Sequence, residues 1–348
     1  MPNILFRADA HKEIGTGDLM SVIYLSREFQ NNSWHCFFAV RDYEPALSIV
    51  RQFGLQNVEI IPHGILLKNE IELIKKLCAD NEIDCLFMEV TKNNLREYGA
   101  LGKPAPVKAC ANFDGIITED FDIVVNWCVD ASDTLYGGYE CKNTKFVLGF
   151  ENAILPESVL KLGHDKKSPN KKAQTILITM GGADEFNLTH KVLKSLASCA
   201  SACEIKVIIG PGYEHSQDSL NSIGTNFHKF SLIKDAKSLD GYYRWADMAF
   251  SAGGLTSSEL VAAKIPAVLI AAHEHQIKRC ECYSRKNWAF YAGCRKNISE
   301  MQIEAAFYHV NNNIQAFNDS LGRCEFRGGN EKIYKDIDTC RQSKELVS

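Results

Sequence analysis

The chain has no surplus of basic charge, no long apolar run and no paired cysteine motif, and each absence closes off a class of protein. Its 39 Lys and Arg are set against 43 Asp and Glu, a formal net charge of −4, which offers no electrostatic footprint for nucleic acid. No apolar stretch approaches the ~20 residues that span a bilayer, and no basic amphipathic patch suited to a membrane surface stands out. The chain enters strand-like sequence without a charged n-region and a long apolar h-region, so a cytoplasmic protein is expected. The 13 cysteines are odd in number and scattered through apolar segments, which favours reduced thiols over a disulfide scaffold. The tightest group, Cys280, Cys282 and Cys294, lacks the Cys-x-x-Cys or His pair of a zinc site, and neither a metal nor another cofactor is expected.

What the chain does have is alternation. Its 348 residues suit two domains of roughly 150–170 residues better than a single core. Apolar, β-branched or aromatic runs at 4–6, 34–40, 58–61, 85–90, 107–112 and 123–126 read as strands, and amphipathic stretches at 19–29, 43–53 and 71–78 read as helices. The polar stretch 160–173, broken by Gly163 and Pro169, reads as a linker. A second series follows, with strands at 175–180, 205–209, 227–230, 248–251 and 267–270 and a helix from about residue 188. Strands that take turns with helices imply parallel sheets covered on both faces. The expectation is therefore an α/β protein of two doubly wound, Rossmann-like domains, residues 1–160 and 174–348, with the final helix free to pack back on the first. The crevice between two such domains is the natural ligand site.

Three glycine turns punctuate the alternation. Arg7-Ala-Asp-Ala-His-Lys-Glu-Ile-Gly-Thr-Gly-Asp18 leads from the first strand through Gly15 and Gly17 into a helix. Met180-Gly-Gly-Ala-Asp-Glu-Phe-Asn-Leu-Thr189 and Ser251-Ala-Gly-Gly-Leu-Thr-Ser-Ser-Glu-Leu260 do the same in the second half. Such turns present free backbone N–H groups at a helix N-terminus, where phosphate is readily held. Each also has a plainer reading, a tight turn in which Gly only supplies unusual φ/ψ.

Taken together, and with Ile265-Pro266 and Arg327-Gly-Gly-Asn-Glu-Lys-Ile333, the turns resemble the PseG/SpsG-like nucleotide-sugar hydrolases of sialic-acid-like sugar biosynthesis. That family shares the two-domain GT-B fold with MurG-type glycosyltransferases. The resemblance implies that the first domain carries the sugar side and the catalytic loop, and that the second grips UDP. Gly181, Gly182, Gly253 and Gly254 would face the nucleotide and its phosphates, Thr256 and Ser257 would donate hydroxyls to the pyrophosphate, and Glu259 would accept the ribose hydroxyls. The alternative is that Thr256 or Ser257 only caps a helix and Glu259 only complements its N-terminus. The implied activity is release of UDP from a UDP-linked acetamido-deoxy sugar by water attack at C1, in pseudaminic-type, legionaminic-type or surface polysaccharide biosynthesis. The implied partner is that small-molecule UDP-sugar.

The chain departs from the family where the chemistry is done. Where the family reads Gly-x-Gly-His, this sequence has Asp18, and where the family has Asn-Gln, the segment Ala271-Ala-His-Glu-His-Gln276 supplies His275 and Gln276. A carboxylate starts near pKa ~3.9 and is a poor base unless desolvated. His275 could act as the base with Asp18 fixing its tautomer, or as a cation beside the departing diphosphate. Asp18 and His275 are thus the candidate catalytic pair, with Arg7, Asp9, Gly15, Gly17, His273 and Gln276 on the substrate side. Against this, Asp18 suits a helix N-cap, and Arg7 and Asp9 suit an ion pair that shapes the turn. His11 reads as a solvent-facing loop residue, and His63 and Asn112-Phe113-Asp114 are explained by turn chemistry. Two other functions stay open: a GT-B glycosyltransferase with Asp18 as the acceptor's base, and a nucleotide-sugar-binding subunit without catalysis.

Overall fold

A strand buried on both faces has to be apolar along its length, and the runs found in the sequence meet that demand in two all-parallel sheets. The computed structural model describes every residue except 12–14, 90–97, 114, 116–120, 130, 137–142, 165–170, 327 and 347–348. Two compact units result, Met1–Leu155 with Phe326–Ser348, and Pro156–Glu325.

In the first unit β1 (Asn3–Ala8), α1 (Gly17–Asn31), β2 (His35–Arg41), α2 (Glu44–Phe53), β3 (Val58–Ile61), α3 (Leu67–Asp80), β4 (Cys85–Glu89), β5 (Val107–Ala111), β6 (Ile123–Asn126) and β7 (Lys145–Leu148) follow in order. The sheet order is β3-β2-β1-β4-β5-β6-β7. Phe6 anchors its core, with ring centroids 5.8 Å from Phe29, 5.6 Å from Phe38 and 5.9 Å from Phe87. Each such buried ring contributes about 1.5–3 kcal/mol.

The second unit runs α4 (Glu157–His164), β8 (Thr175–Thr179), α5 (Leu188–Cys199), β9 (Glu204–Ile209), α6 (Gln217–Gly224), β10 (Lys229–Lys234), α7 (Asp240–Trp245), β11 (Met248–Ala252), α8 (Leu255–Ala262), β12 (Ala267–Ala271), α9 (Glu274–Arg285), β13 (Phe290–Cys294), α10 (Glu300–Asn312) and α11 (Ile314–Gly322). Its sheet order is β10-β9-β8-β11-β12-β13. The chain closes with α12 (Gly329–Glu345), which packs on the first unit. A Cβ on Gly329 would lie 2.2 Å from the Asn152 carbonyl oxygen, and Asn330 Nδ2 donates to the Leu155 carbonyl at 3.0 Å and to the Tyr24 carbonyl at 3.3 Å.

Three features differ from the sequence reading. β7 and β13 are edge strands too short and too mixed to stand out, and β13 contains Gly293 at φ +132 beside a register shift. β10 begins two residues later than the expected run at 227–230, which leaves Phe227 as a core residue before the strand. The division between the units falls at Leu155, ahead of the polar stretch 160–173. α4 joins the second unit because Gly163 lies against the Ala262 carbonyl, where a Cβ would approach to 2.3 Å. Residues 165–170 of that stretch and Arg327 of the closing motif lie outside the described residues.

Both sheets reverse direction once, between β1 and β4 and between β8 and β11. In open parallel sheets ligands bind outside the carboxyl ends of the strands at that reversal. The first and third glycine turns and the second lie at those strand ends.

Candidate functional site

At the carboxyl end of β1, charge is neutralised internally. Arg7 is fully buried; its two terminal nitrogens donate to the Asp9 carboxylate at 2.6 and 2.8 Å, and its Nε donates to Glu70 Oε1 at 2.8 Å. Tyr98 and Arg41 also donate to Glu70, and Arg41 lends a backbone N–H to Asp9 at 3.3 Å. Burial alone would raise both carboxyl pKa values, but Arg7 and Arg41, joined at Glu70 by the Tyr98 hydroxyl, together outweigh it and hold Asp9 and Glu70 below the usual carboxylate range. Burial pulls the Arg7 pKa down, and Asp9 overrides it to keep the guanidinium charged. Of the two roles open to Arg7 and Asp9, the ion pair is the one that is built. Arg7 has no exposed surface, and its donors face Asp9 and Glu70.

The loop that follows is closed by His11 and Gly15, which exchange backbone hydrogen bonds of 3.1 and 2.7 Å. Gly15 has φ +81, a conformation that disfavours a side chain, and its N–H is spent within the turn. Lys12, Glu13 and Ile14 of the motif lie outside the described residues. Gly17 is the first residue of α1, and Thr16 takes the N-cap position. Asp18 is therefore not the cap; it is half-buried in the first helical turn. One turn on, the buried Ser21 hydroxyl reaches the Asp18 carbonyl at 2.8 Å and the Glu89 carboxylate. Glu89, 4% exposed, ends β4 directly beside Ala8 of β1.

His11, Tyr43 and His63 stand past the ends of β1, β2 and β3 and touch through their rings, at 4.8 Å and 5.1 Å. The His63 ring is exposed. Asn112 accepts the Gly115 N–H at 3.0 Å, which is turn chemistry as expected, while Asp114 lies outside the described residues.

In the second unit the strand ends β8, β9, β11 and β12 each carry a tight turn. Gly181 has φ +93. Gly182 accepts the Gly212 N–H at 2.9 Å, and a Cβ on Gly210 would come within 2.4 Å of the Gly182 oxygen, so the turns after β8 and β9 pack backbone to backbone. Asp184, 8% exposed, caps α5 with both oxygens, accepting from Leu188 N and Thr189 N at 2.8 Å each. Burial pushes its pKa up and those N–H groups pull it back.

After β11, Gly253 lies where a Cβ would meet Cys280 Sγ at 2.4 Å and Gln276 Cβ at 2.9 Å, so only glycine lets α9 approach. Gly254 is the N-cap of α8 and has no side chain to satisfy the helix's first amides. Thr256 is half-buried at this end. Ser257 is 1% exposed and turns its hydroxyl back onto the Gly254 carbonyl at 2.6 Å. Glu259 is 4% exposed and accepts from the Tyr243 hydroxyl at 2.5 Å, a buried hydrogen bond at the place where a ribose contact was expected. Gln276, 7% exposed, accepts the Ala272 N–H at 2.9 Å, while its Nε2 faces Gly254, 3.9 Å from where a Cβ would stand.

His273 is the N-cap of α9 and His275 is exposed in its first turn, the two rings stacked 5.5 Å apart at 12°. Burial, then Arg295, lowers the His273 pKa against the opposing pull of Glu185. The structure thus gathers Gly181, Gly182, Gly253, Gly254, Thr256, His273, His275 and Gln276 at the carboxyl edge of one sheet, and Gly15, Gly17, Asp9 and Asp18 at that of the other. Sequence reasoning missed Glu70, Tyr98, Glu89 and Gly210. Glu70 had a signal, since it shares the inward face of α3 with Ile74 and Cys78.

Two parallel-sheet α/β units with this strand order define a protein of the GT-B fold, and similarity to solved structures agrees. The chain superposes on Acinetobacter baumannii MurG with a TM-score of 0.64 at 10% identity, covering 98% of this chain and 100% of that one. It superposes on Staphylococcus aureus MnaA, solved with UDP, with a TM-score of 0.63 at 10% identity, covering 97% and 96%. Among curated proteins it is 27% identical over 288 residues to the uncharacterized protein MJ1062 of Methanocaldococcus jannaschii, covering 79% of this chain and 56% of that protein. It is 23% identical over 156 residues to the spore coat polysaccharide biosynthesis protein SpsG of Bacillus subtilis, covering 43% and 44%. The chain spans about half the length of the curated relatives it matches. No family model matches.

Proposed function

We propose that this protein binds a UDP-linked acetamido-deoxy sugar and releases UDP by attack of water at C1. The observation that carries the reading is the pair of turns, Gly181-Gly182 and Gly253-Gly254, flanking the strand-order reversal of the second unit in a chain that superposes on the UDP complex of MnaA. The first turn of α8 has no side-chain cap, so its amides suit a phosphate oxygen. Similarity to SpsG supports a role in surface polysaccharide biosynthesis, and no metal enters the scheme. In the reaction the water oxygen bonds to C1, the C1–O bond to the diphosphate breaks with its electron pair leaving on UDP, and the water proton passes to a base.

His275 is the proposed base, an imidazole being the side chain whose ordinary titration range lies nearest neutrality. A second reading, transfer to an acceptor hydroxyl, is favoured by one residue: Asp18 stands where the resembled hydrolases have histidine. Incubation with a panel of UDP-acetamido sugars separates the two. UDP release in water alone supports hydrolysis, and release that requires an added sugar acceptor supports transfer. Asp18→Ala and His275→Ala are expected to reduce turnover by 10²-fold or more, the usual scale for a lost acid or base, with UDP affinity largely kept; wild-type rates in both would overturn the assignment.

A further inference from the structure

Among the described residues, Arg295 at the carboxyl edge of the second sheet is held in place without a salt bridge to a carboxylate. Arg295 follows β13 directly, and its backbone N–H is tied to the Ala271 carbonyl at 2.9 Å, which fixes its base beside the end of β12. Its guanidinium carbon lies 3.3 Å from the centre of the Phe186 ring. Phe186 comes from the loop that begins at Gly181-Gly182, and its other neighbour is His273, ring centroids 5.5 Å apart at 67°. Because β11 lies between β8 and β12 in the sheet, a contact from the β8 loop to His273 and Arg295 bridges over the strand whose end carries Gly253-Gly254.

A guanidinium held over the face of a ring by its central carbon keeps N–H groups at its edges for an anion. Among the described residues Arg295 makes no salt bridge, whereas the adjacent Lys296 pairs with Glu274 at 2.6 Å. Two neighbouring acids are otherwise placed: Glu274 faces Lys296, and Asp184 caps α5. Half-buried and stacked, Arg295 has also lost much of the side-chain freedom that an exposed arginine would have to give up on binding.

We infer that Arg295, braced on Phe186 beside His273, is a phosphate-binding residue of the second unit, taking two oxygens of the diphosphate that the glycine turns approach through their amides. This rests on the reading of the site as a nucleotide-sugar site and adds the side chain that holds the anion. Phe186 is a positioning residue, since it acts through the guanidinium.

Titration calorimetry of the full chain with UDP, inorganic pyrophosphate and uridine tests it. Arg295→Gln is expected to weaken UDP and pyrophosphate binding by at least ~10-fold and to leave uridine unchanged, on the scale of a lost charge-assisted bidentate contact. Arg295→Lys should recover part of the loss, and Phe186→Leu should weaken the two phosphate ligands less than Arg295→Gln does. Equal affinities for wild type and Arg295→Gln overturn the inference while leaving the nucleotide-sugar reading standing. Arg295-dependent binding of pyrophosphate without binding of UDP sinks the nucleotide reading and keeps the inference. Equal losses for uridine and UDP assign Arg295 to the fold and also overturn it.

Discussion

At the scale of single residues, the molecule separates side chains that build the site from those that face it. Arg7, Asp9, Glu70 and Tyr98 form a buried network whose members satisfy one another, and removing one leaves an opposite charge stranded. Glu70→Ala is expected to cost about 3–5 kcal/mol, read as a lowered denaturation midpoint, with Glu70→Gln milder because it keeps an acceptor. Gly253→Ala should be as harmful for another reason, since its methyl would lie 2.4 Å from Cys280 Sγ. Cys280→Ala in the same chain should recover part of the loss, and no recovery would show that the clash is elsewhere.

His273 gives a pH dependence with a definite sign. Its folded pKa is depressed from 6.5 by burial, so the unfolded chain binds the proton more readily. Stability from this group is complete above about 6.5 and declines as pH falls through that value towards the lower folded pKa. A His273→Gln variant should therefore show a flatter stability profile below pH ~6.5, measured by urea unfolding. An unchanged slope would remove His273 as its source.

Central strands such as β4 and β12 are buried along their whole length, and such strands read as plain apolar runs. The edge strands β7 and β13 carry a lysine or a glycine and were not legible. The glycine turns were found because Gly-Gly between an apolar run and a helix is a strong local signal. The inward hydrogen bonds of Ser257 to Gly254 and of Glu259 from Tyr243 were not, because nothing in the sequence says which way a hydroxyl or a carboxylate turns. Asp184 shows the reverse case. It sits in the glycine motif, yet its chemistry is that of an element boundary, holding the first turn of α5. Asp184→Ala should destabilise the second unit by about 0.5–2 kcal/mol, the usual cost of a lost cap, with α5 amides exchanging faster than those of α10. Uniform exchange across both helices would argue against a local capping role.

For the whole molecule, two units with separate cores and the same order of strands form the GT-B architecture, and among the described residues no helix is long and apolar enough to cross a membrane. The final helix returns to the first unit, so the chain crosses between units twice, after Leu155 and before Phe326. A ligand that binds only the second unit should stabilise that unit by mass action, about 2.7 kcal/mol at a hundredfold excess over Kd. In calorimetry UDP should move the transition of the second unit most, and a shift confined to the first would place the nucleotide on the wrong sheet.

The proposed reaction is attack of water on C1 of a UDP-sugar. Turnover of a UDP-acetamido sugar in ¹⁸O-labelled water, with both products read by mass spectrometry, tests it most directly. Hydrolysis puts the label on C1 of the released sugar and none on UDP; label in the UDP phosphate, or no release until an acceptor sugar is added, would overturn the proposal.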